Sequence, residues 1–168
     1  YECKYYSNGD PFYSECADYT VSITLDSDYV VAGSVKKQSK KILDENTKHT
    51  FSLSNARSFC LVASKNFLEK TLTHNGVMIN YYYYADKVPD ESIEYIKKSL
   101  DFFSQKFGAY PYADYSVVET KFVQGGMEYP TLVMISDELD SKSHGEVIVH
   151  ETAHQWWQTA VGNNEIEH

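Results

Sequence analysis

The feature that most limits what this chain can fold into is a change of hydrophobic period at Asp86-Lys87-Val88-Pro89-Asp90. Before it, residues 19–25, 29–34, 50–53, 58–63 and 77–84 are rich in β-branched and aromatic side chains and read as strands. Turn formers separate them at Asp26-Ser27-Asp28, Asp44-Glu45-Asn46 and His74-Asn75-Gly76. After it, Ile93, Ile96, Leu100, Phe103 and Phe107 recur at helical spacing, which predicts a helix opened near Asp90 and closed at Gly108. Residues 115–123 and 131–135 read as further strands, and 143–160 as a second helix ended by Gly162-Asn163-Asn164. The pattern predicts an α+β fold, with a β-rich unit over 1–86 and a unit of mixed sheet and helices over 87–168. Four consecutive tyrosines, Tyr81 to Tyr84, would alternate between the two faces of a strand and cover both, as packing between domains requires.

The second predicted helix carries His150-Glu151-Thr152-Ala153-His154. At 3.6 residues per turn, positions four apart stack on one face, so both imidazoles can reach one ion while Glu151 sits about 100° round the helix beside them. The spacing is that of a zinc hydrolase, in which two histidines hold the metal and the glutamate takes a proton from water. A surface helix with histidines four apart by chance is the alternative. Against it stand the apolar Val147-Ile148-Val149 and a stripe of Val149, Thr152, Trp156 and Ala160 opposite the histidines. A helix buried on that stripe must find a partner for its polar face, and a metal ion is one. Catalytic zinc has three protein ligands, so a third must come from elsewhere.

Upstream, Gln124-Gly125-Gly126-Met127-Glu128-Tyr129-Pro130 places two glycines before a glutamate. Bare positions at Gly125 and Gly126 on a strand edge would let a peptide approach and add itself as a strand, and a carboxylate at the end of that edge would stop it at its ammonium group. A glycine bulge with a solvated glutamate would read the same way.

Gly-Gly-Met-Glu followed by His-Glu-Thr-Ala-His-Gln-Trp-Trp resembles the gluzincin aminopeptidases, the family of aminopeptidase N and leukotriene hydrolase. The resemblance implies that Gly125, Gly126, Met127 and Glu128 form the substrate-binding edge strand and that Glu128 recognises a free α-amine. It also implies that His150 and His154 bind one Zn2+ and that Glu151 is the catalytic base. Residues 18–67 look like the end of the family's β-rich domain, and 88–168 like the first part of its thermolysin-like catalytic domain. Tyr129-Pro130 stands where the best-known aminopeptidases have asparagine after the glutamate, a variant similar to that of divergent bacterial relatives. The family's third zinc ligand, a glutamate, and its oxyanion-stabilising tyrosine would both fall beyond His168. Glu165, Glu167 and His168 do not match that spacing. The resemblance therefore implies a truncated catalytic domain whose partner is the remainder of that domain, and a chain that alone binds zinc poorly and is inactive. Two other readings are a noncatalytic peptide-binding module and an interaction domain with a relic motif.

A net charge of −9 argues against nucleic acid as a partner, since phosphate binding needs basic surface. From Lys121 onward there are two lysines against eight acidic residues, so the acidity concentrates around both motifs and favours a divalent cation and a peptide's ammonium end. No run of about 20 apolar residues, the length that spans a bilayer, occurs. Cys3, Cys16 and Cys60 form no C-x-x-C pair, which excludes a thiolate zinc site; Cys3 with Cys16 could close a disulfide, or all three could be free.

Overall fold

A computed structural model describes residues 14–35 and 39–162. The order of elements is β1 (Ala17–Asp26), β2 (Val30–Gly33), β3 (Ser39–Leu43), β4 (Asn46–Ala56), β5 (Leu61–Ser64), β6 (Leu68–His74), β7 (Val77–Tyr83), α1 (Pro89–Phe107), β8 (Asp114–Thr120), β9 (Gly126–Tyr129), β10 (Leu132–Ser136) and α2 (Ser141–Ala153). The fold is α+β, as the pattern predicts. Strands β1, β4 and β3 form one antiparallel sheet, and β2 and β5 a two-stranded ribbon. The remaining strands form a mixed sheet in the order β6-β7-β8-β10-β9, parallel at β7/β8 and β8/β10 and antiparallel at its two outer pairs. Neither helix is long and apolar enough to cross a membrane.

This sheet runs across the boundary expected at 86/87. It draws β6 and β7 from before Asp86, so the change of period marks a change from strand to helix inside one sheet. Parallel β7 and β8 need a crossover between them, and α1 is that crossover. Pro89 stands in its first turn, where a missing N–H costs nothing, and Gly108 closes it at φ 106°. Ile93, Ile96, Leu100 and Phe103 are buried against Ile79, Tyr81, Tyr115, Val117, Val133 and Ile135 of the sheet, each contributing about 1.5–3 kcal/mol of apolar burial. Phe107, expected on the same stripe, is instead 54% exposed.

The opposite face of the sheet packs Tyr82, Val118 and Leu132 on Ala32 and Phe67, with Val30, Cys60, Val62, Tyr84 and Met134 around them. The tyrosine run therefore alternates as expected: Tyr81 and Tyr83 face the helices, Tyr82 and Tyr84 the ribbon. Two strands escaped the sequence pattern. Strand β3, Ser-Lys-Lys-Ile-Leu, is exposed throughout and pairs with β4. Strand β6 carries Glu69 and Lys70 on an outer edge, where charge is tolerated.

Helix α2 begins at Asp140, whose carboxylate accepts from the amides of Lys142 and Ser143 at 3.0 Å; those bonds hold its pKa below the ordinary range. The helix ends at Ala153, well short of the residue 160 that the pattern predicts. Beyond it, Thr159, Ala160 and Val161 donate to carbonyls five residues back, and Gln158 takes φ 99°. Tertiary bonds hold this looser path. The buried Gln155 side chain accepts from Thr131 N at 2.8 Å and donates to Tyr129 O at 3.1 Å, and Trp156 donates to Gly108 O at 2.8 Å. Of the predicted stripe, Thr152 and Trp156 are buried, Val149 is half-buried and Ala160 exposed, and His144, Gly145, Ile148 and Glu151 are buried besides. Gly162 is described without a capping role, and Asn163 and Asn164 lie outside the described residues.

Candidate functional site

Register brings the two motifs together. In the antiparallel pair β9/β10, Gly126 stands opposite Ile135 and Glu128 opposite Val133. Residues opposite one another share a face, and Ile135 and Val133 pack with Ile148 of α2. Gly126 and Glu128 thus face α2, while Met127 and Tyr129 face the other way. Strand β9 is the outermost strand of its sheet, so Gly126, Met127 and Glu128 lie on an edge strand, while Gly125 stands in the bend before it.

The adjacent glycines serve different ends. Gly125 has φ 88° and open space where a Cβ would stand, so its requirement is conformational; its carbonyl accepts from Ser136 N at 2.7 Å. At Gly126 a Cβ would lie 2.3 Å from Glu151 Oε1 and 2.7 Å from both Cγ and Cδ of that side chain. The sequence reading gave both bare positions to an approaching peptide; at Gly126 the space is filled by Glu151.

Glu151 is only 5% exposed, and its Oε2 has no hydrogen-bond partner. Burial, reinforced by the Glu128 carboxylate, pushes its pKa up to about 7. His150 is exposed and His154 half-buried, so the helix presents its histidines at the edge of the site and its glutamate inside. The two Nε2 atoms are 3.3 Å apart, with the rings at 81° to one another. His154 Nδ1 lies 3.3 Å from the Trp157 carbonyl, which can only accept; the tautomer that donates there from Nδ1 leaves the Nε2 lone pair for a metal. Donor atoms of Glu128, Glu151 and His154 all lie within 4.8 Å of one another.

These residues fit a zinc ion. Two nitrogens each about 2.0–2.1 Å from a tetrahedral zinc stand roughly 3.3–3.4 Å apart, the separation seen between the two imidazoles. An unpartnered buried carboxylate oxygen beside them is the kind of group that a cation and its water satisfy.

Three supporting groups carried no recognisable signal in the sequence. Gln155 ties the end of the histidine segment to the β9–β10 connection at Tyr129 and Thr131, which fixes Glu128 relative to α2. Tyr115 on β8 bonds Thr152 at 2.8 Å, and Thr152 donates to Ile148 O, locking α2 to the sheet. His144, buried one turn and a half upstream of His150, bonds Tyr81, whose hydroxyl donates to Asp86 at 2.6 Å. Asp86 also accepts from Ser92 and Val88; burial alone would raise its pKa, but these bonds prevail and lower it. Glu165, Glu167 and His168 lie outside the described residues, as does Cys3. Cys16 and Cys60 are free thiols, on the surface and half-buried respectively.

An edge strand of a mixed sheet thus lies beside a helix that carries His-Glu-x-x-His, and solved zinc metallopeptidases share this fold. The M1 zinc metallopeptidase of Deinococcus radiodurans, as a glutamate-to-alanine variant, superposes with TM-score 0.76 at 21% identity over 94% of this chain and 38% of its own. The two-domain M1 zinc metallopeptidase variant bound to L-arginine and the unsubstituted Deinococcus radiodurans enzyme each give 0.75 at 21% identity, over 92% of this chain and 37% of theirs. The chain thus spans less than two fifths of the structures it resembles. No protein-family model and no curated protein matches the sequence.

Proposed function

We propose that this chain is the metal-binding core of a zinc-dependent peptidase that removes residues from the amino terminus of peptides. The observation that carries the proposal is the pairing of two Nε2 atoms at 3.3 Å with a buried, unpartnered glutamate oxygen between them and an edge strand. His150 and His154 would hold the ion. When bound, zinc supplies Lewis acidity toward a peptide carbonyl and makes water a stronger nucleophile.

This chain's own residues do the rest. A peptide adds to the free edge of β9 along Gly125, Gly126 and Met127, which sets its carbonyl toward α2. Glu128 accepts the hydrogen bonds of the substrate's ammonium group, fixing which bond is presented. Glu151 takes a proton from the attacking water and returns it to the leaving amine, from a buried position on the helix beside the two histidines. Trp157 O holds the His154 ring in the tautomer that offers Nε2. The activity is proposed for a protein that carries the remainder of the catalytic domain alongside this chain, with stabilisation of the developing oxyanion supplied there.

The test is hydrolysis of free-amine and N-acetylated aminoacyl substrates, with and without a zinc chelator, in the wild type and in Glu151→Gln. Chelator-sensitive cleavage of the free-amine set alone, abolished in Glu151→Gln, is expected. Cleavage that survives Glu151→Gln overturns the base assignment, and no cleavage of either set favours a noncatalytic peptide-binding module.

A further inference from the structure

The turn between β6 and β7 consists of two residues, Asn75 and Gly76, with His74 paired to Val77 across it. Both have positive φ, 48° and 84°, the pattern of the type I′ hairpin turn that Asn-Gly favours. Asn-Gly is also the dipeptide in which a backbone nitrogen most easily attacks the preceding carboxamide, because glycine puts no side chain beside the attacking atom. At Gly76 nothing lies within 4 Å of where a Cβ would stand, and both residues are exposed. None of the other described asparagines, Asn46, Asn55, Asn66 and Asn80, is followed by glycine; Asn8-Gly9 lies outside the described residues.

The fold adds two side chains at the nitrogen that would leave. Asn75 Nδ2 donates to Asp101 Oδ1 of α1 at 2.8 Å, and His74 Nε2 lies 2.8 Å from the same oxygen and 3.4 Å from Asn75 Nδ2. A carboxylate only accepts, so the tautomer of His74 that bonds Asp101 carries a proton on Nε2, next to that nitrogen. The cluster stands on the wall of an open groove between the turn and α1, where water reaches it.

We propose that Asn75 is a self-modifying site, deamidating through a cyclic imide with His74 as proton donor to the leaving group and Asp101 holding both side chains by hydrogen bonds. Gly76 N attacks Asn75 Cγ and gives its proton to solvent. The N–Cγ bond forms, the Cγ–Nδ2 bond breaks, and ammonia departs with the proton that His74 supplies and solvent returns to the ring. Water then adds to either carbonyl of the imide and opens it, leaving aspartate or isoaspartate at position 75. Where an amide donated to Asp101, a second carboxylate then stands beside it, and like charges at contact repel. In the isoaspartate form the backbone also gains a carbon, which breaks the two-residue geometry of the turn. Modification therefore loosens the β6–β7 turn from α1. The inference stands apart from the peptidase reading and uses none of its residues.

The experiment ages the 168-residue chain at neutral pH and body temperature and follows each asparagine by peptide mapping with mass spectrometry, isoaspartate being marked by enzymatic methylation. Asn75 is expected to convert several-fold faster than Asn46, Asn55, Asn66 and Asn80. His74→Gln keeps a hydrogen-bond donor near Asp101 but gives up no proton, and it should slow Asn75 by about tenfold or more, while Asn8 in the same molecules keeps its rate. Asp101→Asn should slow Asn75 in the same selective way. Circular dichroism checks that the variants fold; should they not, the wild type decides, its native state converting Asn75 faster than the same chain unfolded in urea. Conversion of Asn75 no faster than that of the other described asparagines would overturn the site. Equal rates at Asn75 in wild type and folded His74→Gln would overturn the role of His74, and the proposal with it.

Discussion

Removing the charge of Glu151 should make the metal-free protein more stable, although it removes the group proposed to do the chemistry. The carboxyl has a folded-state pKa of about 7 against an ordinary value of 4.5, with burial as the main cause and Glu128 as the second. Because the folded value is raised, the folded state holds its proton more tightly than the unfolded chain. That contribution to stability is complete below about pH 4.5 and is lost as pH rises through about 7. A gap of this size corresponds to an upper limit of roughly 3 kcal/mol, at about 1.4 kcal/mol per pKa unit. A gain of about 1–3 kcal/mol is therefore expected for Glu151→Gln at pH 8 with chelator present, and little gain at pH 4.5. Urea denaturation of wild type and variant at both pH values, with chelator throughout, gives the two differences directly. Parallel stability curves for the two proteins across this range would refute the reasoning, because they would mean that Glu151 ionises in the fold as easily as in the unfolded chain.

Three further outcomes follow from the same geometry. Gly126→Ala puts a Cβ 2.3 Å from Glu151 Oε1, so the carboxylate must swing toward water and its pKa should fall toward 4.5; NMR titration of labelled glutamate carboxyl carbons measures this, and a value still near 7 would contradict it. Gln155→Leu leaves Thr131 N and Tyr129 O without their partners and should cost about 1–3 kcal/mol, read as a lower melting temperature; an unchanged melt would show that the β9–β10 connection does not depend on it. Cys60, which burial pushes up to about 12, should resist iodoacetamide while exposed Cys16 reacts, as mass spectrometry of the native protein would record; equal labelling of the two would mean that the ribbon does not shield Cys60.

The parts of this protein that were legible in the sequence are those governed by local periodicity. Ile93, Ile96, Leu100 and Phe103 announce α1 because a helix buries one face at every third or fourth residue, and Pro89 and Gly108 mark its ends. His150 and His154 share an edge because helical geometry puts them there wherever the helix docks. The tyrosines at 81–84 alternate between two cores because a strand has a period of two. What pattern could not supply was partnership across the chain. Strands β6 and β7 join the sheet of the candidate site although they precede the change of period, since sheet membership is set by pairing with distant β8. Helix α2 stops at Ala153 because Gln155 and Trp156 find backbone partners 24 to 48 residues away.

The sequence by itself determined which chemistry the chain carries: two imidazoles and a glutamate on one turn of helix, and a glutamate behind two glycines. Only the tertiary structure decided how those groups meet. The register of β9 on β10 turns Glu128 toward α2, and the space at Gly126 admits Glu151. Burial then gives Glu151 a raised pKa that no local sequence rule contains. Identity and spacing are properties of the chain; distance, exposure and field depend on which remote segments pack together, and the energy that settles this is spread over the whole core.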